Sequence, residues 1–177
     1  MGCPKNVVDS ESMTRLLEQA GHEEADEKQA AYEARRADNE AARANVTAVL
    51  LPGTTFGLGQ SRFADGRAFV EENVPVALGS DINPGTCWCE SMPLIMALAC
   101  RYEGLTPPEA IVAATVNAAA SLRIADRVGS LEPGKLADVL IADVPDYRHL
   151  AYRFGTNPIE TVIKRGRVVE AHDRAPL

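Results

Sequence analysis

An α/β fold that gives way to antiparallel strands near its end is what this sequence predicts, and three patterns predict it. Residues 46–51 and 74–78 are apolar runs of strand length, separated by a loop and a short helical stretch. Helical spacing of apolar residues then takes over, first over 90–103. Beyond residue 128, turn residues alternate with β-rich runs, and Arg165-Gly166 sits between two of them as a two-residue hairpin turn. Strand, loop, helix, strand is one turn of a parallel α/β layer. The chain therefore divides into a helical N-terminal extension and linker (1–45), a strand-and-helix segment (46–127) and a strand segment (128–177).

In order, Asp9 or Ser10 can cap a helix carrying Met13, Leu16, Leu17 and Ala20, which Gly21 stops. Residues 26–45 are rich in Ala, Glu and Arg, with Tyr32 the one large apolar group. Pairs such as Glu33/Arg36 and Glu40/Arg43 suit a solvated linker helix. The strand over 46–51 ends at Pro52-Gly53, and Thr54 to Gly59 reads as a glycine-containing loop without phosphate-binding spacing. A short helix over 64–72 leads into the buried strand over 74–78. The chain then turns polar, Gly79-Ser80-Asp81-Ile82-Asn83-Pro84-Gly85-Thr86, with the Asp81 carboxylate where the strand ends. Catalytic side chains of parallel barrels sit on that edge, but an Asp that merely caps the turn or the next helix fits the spacing equally well.

Met92, Ile95, Met96, Ala99 and Tyr102 mark the helix over 90–103. Thr106, Pro107 and Glu109 start the next with a capping box, and Ile111, Val112, Thr115 and Val116 are expected as its buried face. A third helix is expected over 118–124, after a break near Asn117. The turn over 129–135 precedes a strand over 137–143, whose Asp138 and Asp143 read as exposed or turn positions rather than ligands.

A length of 177 residues suits one domain or a piece of a larger one, and 46% hydrophobic residues permit a real core. The formal charge of −7 argues against nucleic acid, whose phosphates need clustered Lys and Arg. No apolar run approaches the roughly 20 residues of a membrane span, and the N-terminus lacks a secretory apolar core. Cys3, Cys87, Cys89 and Cys100 have no framework spacing and are expected as reduced thiols in the cytoplasm.

Asp81 to Thr86, the following Cys87-Trp88-Cys89-Glu90-Ser91-Met92-Pro93-Leu94 and the upstream Leu50-Leu51-Pro52-Gly53-Thr54-Thr55-Phe56 resemble the imidazolonepropionase family of metal-dependent amidohydrolases. The resemblance covers residues 46–170, roughly the last third of such an enzyme. It implies the C-terminal fragment of a TIM-like (β/α)8 barrel, with 46–51 and 74–78 as barrel strands seven and eight, plus strands of an accessory β-sandwich. It implies hydrolysis of 4-imidazolone-5-propanoate, a small-molecule substrate, to N-formimino-L-glutamate in histidine degradation. One divalent metal, Zn or Fe, would be needed, because a bound ion lowers the pKa of its water from about 15.7 to about 7. By this resemblance Asp81 is the metal ligand and proton carrier, Asn83 and Gly85 hold the product, and Thr86 contacts the substrate.

The family's other ligands are histidines, including a His-x-His pair, and this chain has only His22, His149 and His172. All three read as structural or surface residues. The isolated chain is therefore expected to be incomplete and inactive; the alternative is a non-catalytic remnant acting as a structural or interaction domain. Two barrel strands with unpaired edges also predict self-association. Separately, Gly2-Cys3-Pro4-Lys5-Asn6-Val7-Val8-Asp9-Ser10-Glu11, continuing to Gly21-His22-Glu23, is similar to the start of the radical methylthiotransferases, in which Cys3 would match an iron–sulfur ligand. Such a cluster takes four thiolates, and the remaining cysteines lie in the amidohydrolase-like part, so no cluster is expected here.

Overall fold

The computed structural model describes residues 7–9 and 46–171. Most of the helical extension expected over 1–45, together with Cys3, His22 and His172, lies outside the described residues.

The two apolar runs form strands that lie side by side. β2 (Thr47–Leu50) and β3 (Val76–Leu78) are parallel, with Ala48 opposite Val76 and Leu50 opposite Leu78. A third strand was not expected: β1 (Val7–Asp9) pairs in parallel with the other edge of β2, giving the order β1-β2-β3. An edge strand presents unpaired N–H and C=O groups, and even a three-residue run can satisfy them.

The stretch after β2 is a second correction. Instead of a loop from Thr54, the chain forms helix α1 (Pro52–Gly57), with Pro52 in its first turn, where its fixed φ favours helix and its missing N–H costs nothing. α2 (Gly66–Glu71) follows, its Asp65 cap accepting from the Ala68 N–H at 3.0 Å. Beyond β3, α3 (Met92–Tyr102) is capped by the Ser91 hydroxyl, which accepts from the Leu94 N–H.

α4 (Pro107–Ala114) begins as expected: the Thr106 N–H and hydroxyl both donate to Glu109, at 2.8 and 2.7 Å. Arg67 of α2 forks onto the same carboxylate at 2.9 and 3.0 Å, and this hydrogen-bonded guanidinium holds the Glu109 carboxyl down at about 2. The buried face of α4 differs from expectation. Ala110 and Ala113 are buried, whereas Val112, Thr115 and Val116 are exposed. Small residues let α4 approach β3 closely, so the inward face is set by fit rather than by side-chain apolarity. The break before the third helix falls at Thr115, whose hydroxyl donates back to the Ile111 carbonyl at 2.7 Å, and α5 runs Val116–Ser121 rather than over 118–124.

Ala48, Leu50, Val76 and Leu78 form one core with Phe69, Ile95, Met96, Ala99, Leu105, Ala110 and Ala113. Asn117 adds a polar tie, donating from Nδ2 to the Val76 carbonyl at 2.8 Å. β4 (Val139–Ala142), β5 (Ile159–Lys164) and β6 (Arg167–Ala171) make a separate antiparallel sheet. The hairpin turn has φ of 53° at Arg165 and 77° at Gly166, the double left-handed pattern of a type I′ turn. Asp138 secures it, accepting from the Arg165 N–H at 2.8 Å and from the Lys164 ammonium, which fits its reading as a turn residue. A short helix, α6 (His149–Tyr152), went unanticipated; Arg101 of α3 reaches it, donating to the Ala151 carbonyl at 2.9 Å.

Glu103, just past α3, is 2% exposed, and its Oε2 has no hydrogen-bond partner. Burial pushes its pKa up to about 8, so the folded chain keeps this carboxyl protonated where the unfolded chain ionises it. Stability from this group is whole below the ordinary Glu range and falls as pH rises toward about 8. Thermal melts between pH 5 and 8.5 should show that loss in the parent, and Glu103→Gln should flatten it; parallel profiles would contradict this account.

Candidate functional site

The site is assembled from the two loops that leave the C-terminal ends of β2 and β3. Parallel pairing brings those ends together: the Gly79 N–H donates to the Leu50 carbonyl at 3.1 Å, one residue beyond the ladder. From there α1 rises off β2, and residues 79–91 rise off β3 toward α3. The two loops touch where side chains are smallest. A Cβ on Gly57 would lie 2.4 Å from the Thr86 carbonyl oxygen, and one on Gly53 would lie 2.7 Å from Ile95 Cδ1 and 2.9 Å from Cys87 Sγ. Glycines one helical turn apart thus let α1 lie flat against the loop.

Asp81 sits at the head of that loop with φ of 49°, in the left-handed region. For a non-glycine residue this costs on the order of 1 kcal/mol, and Asp tolerates it better than most. Its side chain is exposed, and Oδ2 accepts from the Thr54 hydroxyl of α1 at 2.6 Å. Asn83 organises the rest. Its Oδ1 accepts from the Gly85 and Thr86 N–H groups at 2.9 and 2.8 Å, while Nδ2 donates to the Asp81 carbonyl at 2.6 Å and to Thr86 Oγ1 at 2.9 Å. The Asn83 N–H donates to the Cys87 carbonyl at 2.8 Å and closes the loop. The four residues singled out in the sequence, Asp81, Asn83, Gly85 and Thr86, therefore form one hydrogen-bonded turn.

Cys87 is buried beneath it, its thiol donating to the Ser80 carbonyl at 3.2 Å. Burial raises its pKa, which makes it a packing group rather than a nucleophile. Phe56, Leu58, Ile82 and Trp88 stand exposed on the two loops around the turn. His149 lies apart from it, on α6 and edge-on to Tyr152. Among the described residues, no three His, Cys, Asp or Glu side chains come together in a way that holds a metal ion. Asp81 alone does not make a cage, so the donor set present here does not fit the implied metal by itself.

The sequence reading missed Thr54, which it placed in a loop. Its signal was weak but present: a Thr two residues past the Pro that ends one strand, opposite an Asp three residues past the next strand.

A profile of the Amidohydrolase family matches residues 13–169. The chain belongs to the amidohydrolase family. Two of its parallel strands, β2 and β3, and the helices that follow them lie within that match and are an arc of that family's (β/α)8 barrel. Among solved structures, the chain superposes on Escherichia coli guanine deaminase with a TM-score of 0.59 at 22% identity, over 78% of this chain and 37% of the enzyme. It superposes on molinate hydrolase with a TM-score of 0.60 at 21% identity, over 93% and 42%. An adenosine deaminase from Xanthomonas campestris, described with bound zinc, gives a TM-score of 0.59 at 23% identity, over 79% and 36%. These likenesses concern the fold. In sequence, an imidazolonepropionase of Herpetosiphon aurantiacus is 54% identical over 128 residues, 72% of this chain and 30% of that protein. One from Brevibacillus brevis is 52% identical over 133 residues, 75% and 31%. The chain spans about 30% of the length of these curated relatives. Amidohydrolases are in general metal-dependent, and among the described residues of this one no helix is long and apolar enough to cross a membrane.

Because Asn83 Oδ1 holds two loop amides, Asn83→Ala should release both. We expect a loss of about 1–3 kcal/mol of stability and faster hydrogen exchange at the Gly85 and Thr86 N–H groups. Unchanged exchange at those two amides would show that the loop is held by something else.

Proposed function

We propose that this chain supplies the C-terminal barrel segment of an imidazolonepropionase, which hydrolyses 4-imidazolone-5-propanoate to N-formimino-L-glutamate. The observation that carries this is the 54% identity over 128 residues, 72% of this chain, to a protein of that name. In this reading Asp81 holds and moves a proton between water and the leaving nitrogen. Asn83 and Gly85 hold the open-chain product, and Thr86 contacts the imidazolone. The rigidity of their turn supports such a role, since preorganised polar groups bind without reordering. The ion assigned to the complete site is Zn or Fe, and Asp81 is the ligand that the described residues contribute. A cytoplasmic setting with reduced thiols belongs to the same proposal.

The 177 residues alone should show no turnover, since one carboxylate does not replace a full ligand set. Joining residues 46–177 to the preceding two-thirds of the Brevibacillus brevis relative should restore imidazolone hydrolysis. In that hybrid Asp81→Asn should lower it by about 1,000-fold or more, a proton-carrier loss of 10²–10⁴ compounded by loss of the ligand charge. A folded hybrid that leaves the imidazolone untouched, or an Asp81→Asn hybrid as active as its parent, would overturn the proposal.

Self-association with a second copy is the partner we assign. It is supported by Leu140, Ile141, Val168 and Val169, which stand exposed on adjacent positions of β4 and of β6 and so reach both faces of the antiparallel sheet. Light scattering should give a mass well above 19.0 kDa, whereas a monodisperse 19.0 kDa species would refute it.

A further inference from the structure

Thr54 is 6% exposed, and a buried hydroxyl needs a partner. The exposed Thr115 bonds locally, to the carbonyl one helical turn back. Thr54 instead reaches across 27 residues to Asp81 Oδ2, at 2.6 Å, a short charge-assisted bond. Its location is over-determined. The Thr54 N–H donates to the Leu51 carbonyl at 3.1 Å, and its own carbonyl accepts from the Leu58 N–H at 3.0 Å. Gly53 and Gly57, on either side, press α1 against Ile95, Cys87 and the Thr86 carbonyl. A β-branched side chain on a helix also has few χ1 choices. The hydroxyl is thus held by buried structure, while the carboxylate that receives it is exposed and sits on a left-handed backbone.

We propose that Thr54 is the positioning residue of Asp81: it fixes the carboxylate through Oδ2 and leaves Oδ1 as the oxygen presented to whatever the site binds. This rests on the reading of Asp81 as the site carboxylate. Among the described residues Oδ1 accepts no hydrogen bond, so the two oxygens of the carboxylate already differ in their partners. An exposed Asp without such a donor would sample several staggered rotamers, and only a fraction of them would aim Oδ1 into the site. The registry of α1 against the loop, set by two glycines, is in this way converted into the orientation of one carboxylate.

The test is made on the 177-residue chain without metal or substrate, so that its failure stays distinct from failure of the hydrolase reading. Three-bond couplings from the backbone nitrogen and carbonyl carbon to the Asp81 carboxyl carbon report its χ1 populations. The parent and Thr54→Ser should show one staggered conformer, because serine keeps the hydroxyl. Thr54→Val, of nearly the same shape, should show averaged couplings at Asp81. A Thr54→Val chain that keeps the parent's couplings overturns the proposal. So does a Thr54→Ser chain that behaves like valine, since the effect would then come from packing and not from the donor.

Discussion

The parallel register of β2 and β3 is the constraint on which the rest depends. Ala48 opposite Val76, with the Ala48 N–H donating to the Pro75 carbonyl and the Gly79 N–H to the Leu50 carbonyl, brings two strand ends level. Every side chain of the site lies within a few residues beyond those ends. A slip of one residue would turn the inward side chains of the slipped strand outward. Here that would take Leu50 or Leu78 out of the core and carry Thr54 away from Asp81.

What stabilises that register is mostly apolar burial on the helix side, where α2, α4 and α5 pack on β2 and β3 and Ile95, Met96 and Ala99 of α3 complete the core. At about 25 cal/mol per Å² such burial outweighs any single polar contact. Polar groups act instead as locators. Arg67 ties α2 to α4 through Glu109, and Asn117 ties α5 to the β3 backbone. Glu103 is the exception, a buried carboxyl with an unsatisfied oxygen, and the core tolerates it by keeping it protonated.

The legible parts of this chain were those whose local chemistry agrees with their fold. The β-branched runs at 46–51 and 74–78 read as strands and are strands, and Thr106 to Glu109 reads as a helix start and is one. The turn at Asp81 was legible because Asn, Pro and Gly each have a defined use in loops. α1 was not, since Gly-Thr-Thr-Phe-Gly has poor helix propensity and is held by contact with residues 86 and 87. The face of α4 was misread because hydropathy ranks Val above Ala, whereas close approach to β3 favours Ala. The role of Thr54 left only a weak signal because its partner is 27 residues away. β1 was hidden too: three residues carry no periodicity.

Backbone proton contacts on the labelled chain test the parallel register most directly. They should give parallel-strand cross-peaks that place Ala48 beside Val76 and Val49 beside Ala77, with the Gly79 N–H slowly exchanging behind the Leu50 carbonyl. Antiparallel contacts, a register displaced by one residue, or a freely exchanging Gly79 N–H would contradict it.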